Sequence, residues 1–435
     1  MFRELLPVAV AGLVPFAVLV LIITGTAFSL VAWQPPIVQT IQFGTASSEN
    51  GVTAISSDQT GLYLAGFVGY SFGGFSNLTP SYLFVNRYDP NGREIWTQRF
   101  GNPSSSWVYG ISAGTDGVYV VGYPNETFSF VRKYGFDGTQ SWDDKFGNWS
   151  ARTVSANPTG VYVAGENSTE YIVRAYALNG TLIWSRFLGN PIGNVYVYSN
   201  PSGVYVIAEQ ALGTSGGNGS SLVARYTLNG TLVWTRSCYC EATGISTDSS
   251  AIYAAGTVQT LGGRSAGLLA KYGLSGDQLW NTTFNAPGFN SVESVQLSAD
   301  PSGIYLAETT SDGKGINMKY DTNGRQVWSV KLPWQTGVIL NGLRYDVIAL
   351  GESSVYTGGS MRASTDVAFL TILDKSSSLI FFGVNPPFSF VLVALLLAIC
   401  GISILWFRRQ WVKRHMCPGV RGRYRSQRGP AFISC

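Results

Sequence analysis

Histidine is nearly absent from this chain of 435 residues, which contains a single one, His415. Catalytic Ser-His-Asp and Cys-His arrangements, and many zinc sites, depend on an imidazole. The residues that precede His415 therefore hold none of these sites. We expect no catalysis, no bound metal and no cofactor in this protein.

Cysteine is also scarce, and the sequence has only Cys238, Cys240, Cys400, Cys417 and Cys435. One residue separates Cys238 from Cys240, a spacing at which a disulfide is strained. The sequence leaves open whether this pair forms two thiols or a labile bond.

Charged residues make up 12% of the chain, about half of the usual ~25%. Residues 408–435 contain eight Arg and Lys and no acidic residue, so the net charge of +4 comes from this tail. The rest of the chain is slightly acidic, and we expect no nucleic-acid partner. We interpret the tail as a basic segment that contacts anionic lipid, with a partner-binding tail as the alternative.

Two long apolar runs flank the central part of the chain. Residues 1–33 read as a transmembrane anchor or uncleaved signal, because the run is long for a signal peptide and lacks a clean cleavage site. Residues 384–407 read as a second transmembrane helix, followed at once by the basic stretch RRQWVKRH. The basic flank places the C-terminus in the cytoplasm. We therefore expect both termini inside the cell membrane and residues 34–383 outside it.

A nine-residue phrase with Tyr first, Gly fifth and Trp last occurs six times between the apolar runs. The copies are YDPNGREIW (88–96), YGFDGTQSW (134–142), YALNGTLIW (176–184), YTLNGTLVW (226–234), YGLSGDQLW (272–280) and YDTNGRQVW (320–328). A two-residue turn would make Pro90 a pairing residue without an N–H, so a type I turn with a left-handed Gly bulge is favoured. This turn predicts that Tyr88 and Trp96 lie on one face as neighbours.

A second phrase, of the form GxYxxG, precedes each hairpin and predicts a buried strand. The residues three positions before it are often Asp or Asn, which we interpret as turn caps: Asp58, Asn157, Asn200, Asp248 and Asp300. Each unit of about 40–50 residues then supplies four strands, which is typical of a propeller blade. We predict an all-β, seven-bladed β-propeller of four-stranded antiparallel blades over 34–383. Residues 37–44 resemble an outer strand and should close the ring.

The repeat GVYVAG…YxxNGxxxWxxxFG resembles the prokaryotic β-propeller repeat family of bacterial and archaeal surface and secreted proteins. The resemblance covers roughly 37–383 and implies the fold, not an activity. The phrase YDxNGxxxW is also similar, more distantly, to repeats of pyrroloquinoline-quinone dehydrogenases. Those enzymes carry adjacent cysteines and a calcium site built from a carboxylate and an amide. This chain has Cys-x-Cys and no recognisable ligand set.

Eight Asn-x-Ser/Thr sequons are candidate glycosylation sites: Asn77, Asn125, Asn148, Asn167, Asn179, Asn218, Asn229 and Asn281. Asn179 and Asn229 lie in the predicted hairpin turns, where a glycan would be exposed. Glycosylation is expected if the source is archaeal, whereas in a typical bacterium the same motifs carry no meaning.

The connections between the second and third strands vary most in length, which marks a binding face in repeat proteins. Aromatic residues in these loops, and in the loops that join successive blades on the same face, are the ligand-binding candidates: Tyr70, Phe72, Phe75, Trp107, Trp149, Phe289 and Trp334. The alternative is that half or more of them pack beneath their loops.

These patterns favour a membrane-anchored cell-surface propeller that binds an extracellular protein or glycan through its membrane-distal loops, as part of a surface assembly. One alternative is a transmembrane sensor that signals through its basic tail. Another is a quinoprotein-like enzyme, which would need acidic side chains converging at the central channel.

Overall fold

The computed structural model describes residues 37–43, 49–70, 82–90, 92–101, 106–125, 128–210, 220–260, 263–284, 291–335, 347–362 and 366–375. All of them belong to one compact unit, Gln34–Ser378. Residues 1–33, 384–407 and 408–435, which carry the anchor and tail expectations, lie outside the described part. Within the described part, no helix is long and apolar enough to cross a membrane.

The described strands form seven antiparallel sheets of four strands each, so the chain is an all-β, seven-bladed propeller. The innermost strands are β2 (Glu49–Asp58), β6 (Trp107–Ala113), β10 (Ser150–Asn157), β14 (Val195–Asn200), β18 (Glu241–Thr247), β22 (Val292–Asp300) and β26 (Val347–Leu350). The second strands are β3 (Gly61–Tyr70), β7 (Val118–Asn125), β11 (Gly160–Glu166), β15 (Gly203–Gln210), β19 (Ala251–Gln259), β23 (Gly303–Thr310) and β27 (Ser354–Arg362).

The remaining strands form the outer half of each blade. The third strands are β4 (Tyr82–Tyr88), β8 (Phe128–Tyr134), β12 (Tyr171–Tyr176), β16 (Ser220–Tyr226), β20 (Ser265–Gly273), β24 (Lys314–Tyr320) and β28 (Asp366–Asp374). The outermost strands are β5 (Glu94–Phe100), β9 (Gln140–Phe146), β13 (Leu182–Phe187), β17 (Leu232–Cys238), β21 (Gln278–Phe284), β25 (Gln326–Gln335) and β1 (Ile37–Phe43). Blade 1 begins at β2, and blade 7 consists of β26, β27, β28 and β1.

The N-terminal strand closes the ring as expected, because β1 pairs with β28 as the outermost strand of blade 7. Successive connections of an antiparallel blade alternate between its two ends. One face of the disc, here the turn face, thus carries the short hairpin turns, and the other, the loop face, carries the longer loops. Ile37 pairs with Leu373, so both ends of the propeller chain lie side by side on the turn face.

The repeated Tyr-Gly-Trp phrase forms the bulged hairpin predicted from the sequence. In blade 1 the amide of Gly92 donates to the carbonyl of Asp89 at 2.9 Å, and Gly92 has a φ of 79°. Beyond this turn, Tyr88 pairs with Glu94 and Arg87 with Trp96, so β5 contains a further extra residue, Ile95. The positive φ is a conformation in which a side chain costs about 1–2 kcal/mol, which explains the fifth-position Gly.

The prediction that Tyr88 and Trp96 share a face is wrong, because β5 contains a second bulge at Ile95 in addition to the predicted bulge at Gly92. The extra residue shifts the outer strand, so Trp96 lies opposite Arg87 and shares its face. Tyr88 points to the other side of the blade. Trp96 instead contacts Tyr134 of blade 2, with ring centroids 6.2 Å apart. The Trp of the phrase therefore makes this aromatic contact with the next blade and not with the Tyr of its own blade.

The Trp contact between blades recurs around the ring, with partners at equivalent positions of the next blade. Trp184 of blade 3 donates from Nε1 to the carbonyl of Leu228 at 2.9 Å and packs on Tyr226 of blade 4. A Cβ added to Gly230 would lie 2.8 Å from the Trp184 ring. Glycine is therefore required at position 230 for two reasons. The backbone has a positive φ, and a side chain would collide with the indole of the preceding blade.

The Asp and Asn residues before the buried second strands cap turns, as predicted. Asp248 accepts hydrogen bonds from the amides of Ser250 and Ala251 at 2.6 and 2.8 Å. Its other oxygen accepts the hydroxyl of the buried Tyr253 at 2.8 Å. These carboxylates hold the innermost hairpins of the blades and are not a separate acidic ring.

The seam between blades 7 and 1 departs from the pattern. Gln39 in β1 occupies the position of the Trp, and it is the side chain nearest to Gly92. At the neighbouring seam, between blades 6 and 7, Trp328 is buried and its Nε1 has no hydrogen-bond partner among the described residues. The ring is therefore closed by backbone pairing of β1 with β28 and lacks one indole contact.

Candidate binding site on the loop face

The innermost strands enclose a central channel of about 240 Å³. Its lining is mixed, with small and apolar side chains such as Ala54 and Val154 beside polar ones such as Gln296. Arg152 is the one basic residue among the described innermost strands. Arg152 belongs to blade 3 and lines this channel.

A larger cleft of about 630 Å³ opens beside blades 2 and 3, lined by residues of the loops and strand ends on the loop face. Specific small-molecule sites commonly occupy 300–1,000 Å³ and combine apolar walls with a few polar groups. The wall of the cleft includes Tyr109, Tyr123, Asn148, Trp149, Arg152, Glu166 and Asn167. Tyr109 and Arg152 line both the cleft and the channel, so the two cavities adjoin.

Arg152 and Glu166 form an ion pair in the wall of this cleft. Arg152 Nε lies 2.6 Å from Glu166 Oε1, and both side chains are largely enclosed. Burial raises the pKa of the Glu166 carboxyl, and the Arg152 guanidinium opposes the shift only in part. This bond uses Nε, and a guanidinium carries four further N–H donors on its two Nη atoms.

Aromatic rings hold the guanidinium in place. The guanidinium carbon of Arg152 lies 4.4 Å from the ring centroid of Tyr109. Tyr109 in turn contacts Tyr123, with centroids 5.6 Å apart. A stacked and ion-paired arginine has little conformational freedom to lose on binding, which favours recognition.

Two aromatic candidates from the sequence have described side chains, and both are buried. Trp107 packs on Phe67 with ring centroids 5.0 Å apart. Trp149 stacks on Phe146 with ring centroids 4.4 Å apart, and it also lines the cleft. Trp107 is thus packed beneath its loop, whereas Trp149 remains a candidate as a wall residue. A ligand role for either stays a prediction.

The other aromatic candidates have no described side chains. Tyr70 ends strand β3 and Trp334 lies in strand β25, but their side chains are outside the described part. Phe72, Phe75 and Phe289 lie outside the described residues altogether. Their role in binding stays a prediction.

Five of the eight sequon asparagines are described with their side chains. Asn148 and Asn167 line the cleft, whereas Asn179 and Asn229 are exposed in hairpin turns and Asn281 is exposed in β21. Asn125 ends strand β7, and its side chain is outside the described part, as are residues Asn77 and Asn218 as a whole.

Cys238 and Cys240 form a disulfide that spans one residue, at the connection from β17 to β18. Both cysteines are buried, and the carbonyl of Cys240 accepts the hydroxyl of Ser221 at 2.7 Å. The disulfide therefore restrains the connection through which the chain enters blade 5. Across the described ranges, no group of three or more His, Cys, Asp or Glu residues is placed to hold a metal ion.

Sequence reasoning missed Tyr109, Tyr123, Arg152 and Glu166, which form the cleft wall. The available signal was a departure from the repeat, namely a basic residue in an innermost strand that is otherwise uncharged or acidic. Glu166 follows a GxYxxG phrase, as Glu209 does in blade 4. The pairing of Arg152 with Glu166 requires the register of β10 against β11, which the sequence pattern does not specify.

Residues 84–239 match a family model described as outer membrane protein assembly factor BamB. The match covers well under half of the chain, and it includes blades 2 and 3 with the cleft. No curated protein matches the sequence significantly.

Solved structures that are similar to this chain include the Dos1 propeller, with 11% identity and a TM-score of 0.45 over 81% of this chain and 97% of that one. The polysaccharide lyase Uly1 shows 9% identity and a TM-score of 0.45 over 76% and 91% of the two chains. The β-propeller domain of the Trilobed protease from Pyrococcus furiosus, described as having an open velcro topology, shows 6% identity. Its TM-score is 0.47, over 77% of this chain and 100% of that domain.

Proposed function

We propose that this protein is a membrane-anchored surface propeller that binds a glycan in the cleft beside blades 2 and 3, without catalysis. The observation that carries the proposal is the Arg152–Glu166 ion pair, held under aromatic rings at the wall of a 630 Å³ cleft. Aromatic faces pack against the apolar faces of sugar rings, while a fixed guanidinium donates to hydroxyl or carboxylate oxygens.

The placement of the chain ends supports the loop face as the binding face. Residues 1–33 and 384–407 are proposed to anchor the protein, with both termini in the cytoplasm. Both ends of the propeller chain lie on the turn face. Two anchors leaving from that face would direct the loop face, and the cleft, away from the membrane.

The partial match to a model named for an assembly factor supports a binding role as well. The matched segment contains the whole cleft wall. We therefore favour recognition at this cleft as the task of the surface assembly in which the protein takes part. The cleft volume of about 630 Å³ lies in the range of small-ligand sites, whereas protein partners use broad surfaces of roughly 800 Å² each, so we favour a glycan.

The test is a glycan array probed with purified protein, followed by affinity measurements on the strongest glycan. Glu166→Gln removes the charge that orients Arg152, and we expect a loss of about tenfold in affinity, or about 1.4 kcal/mol. The matched control is Glu209→Gln, at the same position of blade 4, where the carboxylate accepts from Asn194 Nδ2 at 3.0 Å. Glu209 does not line the cleft, so its variant should bind like the unchanged protein.

A second variant separates charge from geometry. Arg152→Lys keeps the positive charge but loses the planar fork of donors, so it should also weaken binding. Equal affinities of the Glu166→Gln and Glu209→Gln proteins, or no glycan bound at all, would contradict the proposal.

A further inference from the structure

We infer that Asn179 and Asn229 carry N-linked glycans, and that these glycans shield apolar side chains at the outer edges of blades 3 and 4. Two independent features of the same hairpins lead to this inference. One is the geometry of the asparagine side chains, and the other is the composition of the strands that follow them. The inference rests on the proposed location of the propeller outside the membrane.

The first feature is that each asparagine is presented with its amide nitrogen free to react. Asn179 is exposed, and its Oδ1 accepts the amide of Thr181 at 3.1 Å. Asn229 is exposed as well, and its Oδ1 accepts the hydroxyl of Thr231 at 3.1 Å. Oδ1 is held by the sequon threonine, and Nδ2 of neither asparagine donates a hydrogen bond to the described residues. Asn281, by contrast, lies within a paired strand, opposite Ala270.

The second feature is the pair of residues that opens the outer strand. After the turns of blades 1, 2, 5 and 6, the first strand residue is polar: Glu94, Gln140, Gln278 and Gln326. After the two sequon turns it is leucine. Leu182 is 46% and Ile183 is 57% exposed, and Leu232 and Val233 are 50% and 46% exposed.

Among the described outer strands that follow a hairpin turn, adjacent exposed apolar residues thus coincide with a sequon. The remaining exposed pair, Ile37 and Val38, opens β1 and follows the N-terminal segment instead of a turn. An outermost strand with apolar residues is a template for pairing with another chain. A glycan attached at the turn lies beside the start of this strand and would block such pairing.

The modification requires a sugar donor activated as a lipid-linked phosphate ester. A bond forms between Asn Nδ2 and C1 of the first sugar, and the bond from C1 to the phosphate oxygen breaks. The phosphate leaves with the bonding electron pair, and the displaced Nδ2 proton passes to a base of the transferase. No oxidant or reductant is needed.

The experiment is mass spectrometry of the protein purified from the cells that encode it. Trypsin releases residues 175–186 and 226–236 as separate peptides, each with one sequon. We expect both peptides to carry a sugar mass. Finding both peptides wholly unmodified would overturn the inference, while glycan binding by the purified protein is measured separately and would be unaffected.

Matched variants test the shielding. Thr181→Ala with Thr231→Ala abolishes both sequons, and Thr181→Ser with Thr231→Ser preserves them. The Ala protein, expressed in the same cells, should lose both sugar masses and show a larger self-associated fraction by sedimentation than the Ser protein. Retention of the sugar masses in the Ala protein, or equal sedimentation of the two proteins, would contradict the inference.

Discussion

Replacing Gly230 with alanine isolates the contact that joins neighbouring blades. Gly230 has a φ of 82°, a conformation that costs alanine about 1–2 kcal/mol. The new Cβ would also lie 2.8 Å from Cδ2 of Trp184, an indole that is almost fully buried. The ring has to move, and forced movement in a packed core costs about 1–3 kcal/mol.

A moved indole also loses the hydrogen bond from Nε1 to the carbonyl of Leu228, now 2.9 Å long, worth about 1 kcal/mol. The expected total for Gly230→Ala is about 3–5 kcal/mol of unfolding free energy, because these costs partly overlap. Gly263 supplies the control, since its φ is 72° and no described residue lies within 4 Å of an added Cβ. Gly263→Ala should therefore cost only about 1–2 kcal/mol.

The assay is urea unfolding of the two variants beside the unchanged protein, with both midpoint and slope recorded. We expect Gly230→Ala to be less stable than Gly263→Ala by about 2–3 kcal/mol, which is the part that belongs to Trp184. Equal losses in the two variants would refute the reasoning, because backbone strain alone would then explain the glycine.

Three further outcomes follow from the same contacts. Gln39→Trp should raise the free energy of unfolding by about 1 kcal/mol in urea titrations, because Gln39 stands beside Gly92 where other blades have an indole; an unchanged midpoint would contradict this. Burial alone would raise the pKa of Asp248, but hydrogen bonds from Ser250, Tyr253 and Ala251 lower it overall. The ionised carboxylate of Asp248 therefore stabilises the fold at pH values above the usual pKa of aspartate, and this stabilisation is lost as the pH falls through the lowered pKa. In Asp248→Asn, the free energy of unfolding should depend less on pH in the acidic range. The pKa of Glu166 is raised by burial, so glycan affinity should fall, as pH decreases, at a higher pH than an ordinary glutamate would give; a profile unchanged in Glu166→Gln would refute this assignment.

The architecture follows from the sequence because it is repeated in the sequence. Gly92 and its five counterparts, with the Tyr and Trp around them, predict the bulged hairpins and the number of blades, and the strand at Ile37 predicts the closure. The partner of Trp96 was mistaken because a second bulge at Ile95 moves Trp96 to the other face of the strand, and because contacts between blades depend on the ring and not on one repeat.

The cleft was not predictable in the same way. Its wall combines Tyr109 of blade 2 with Arg152 and Glu166 of blade 3. These residues occupy positions at which the blades differ, so the repeat does not predict them, and only the departure from it at Arg152 marks the site. The exposed apolar pairs at Leu182 and Leu232 illustrate the same point, since only comparison between blades distinguishes them.

Amide hydrogen exchange of the protein, measured with and without the strongest glycan from the array, tests directly whether the glycan binds in the cleft. We expect slower exchange at the cleft wall, in residues 107–113, 118–125 and 148–168, and unchanged exchange in the hairpin turns of the opposite face. Protection confined to the turn face, or no protection while the glycan is bound, would contradict it.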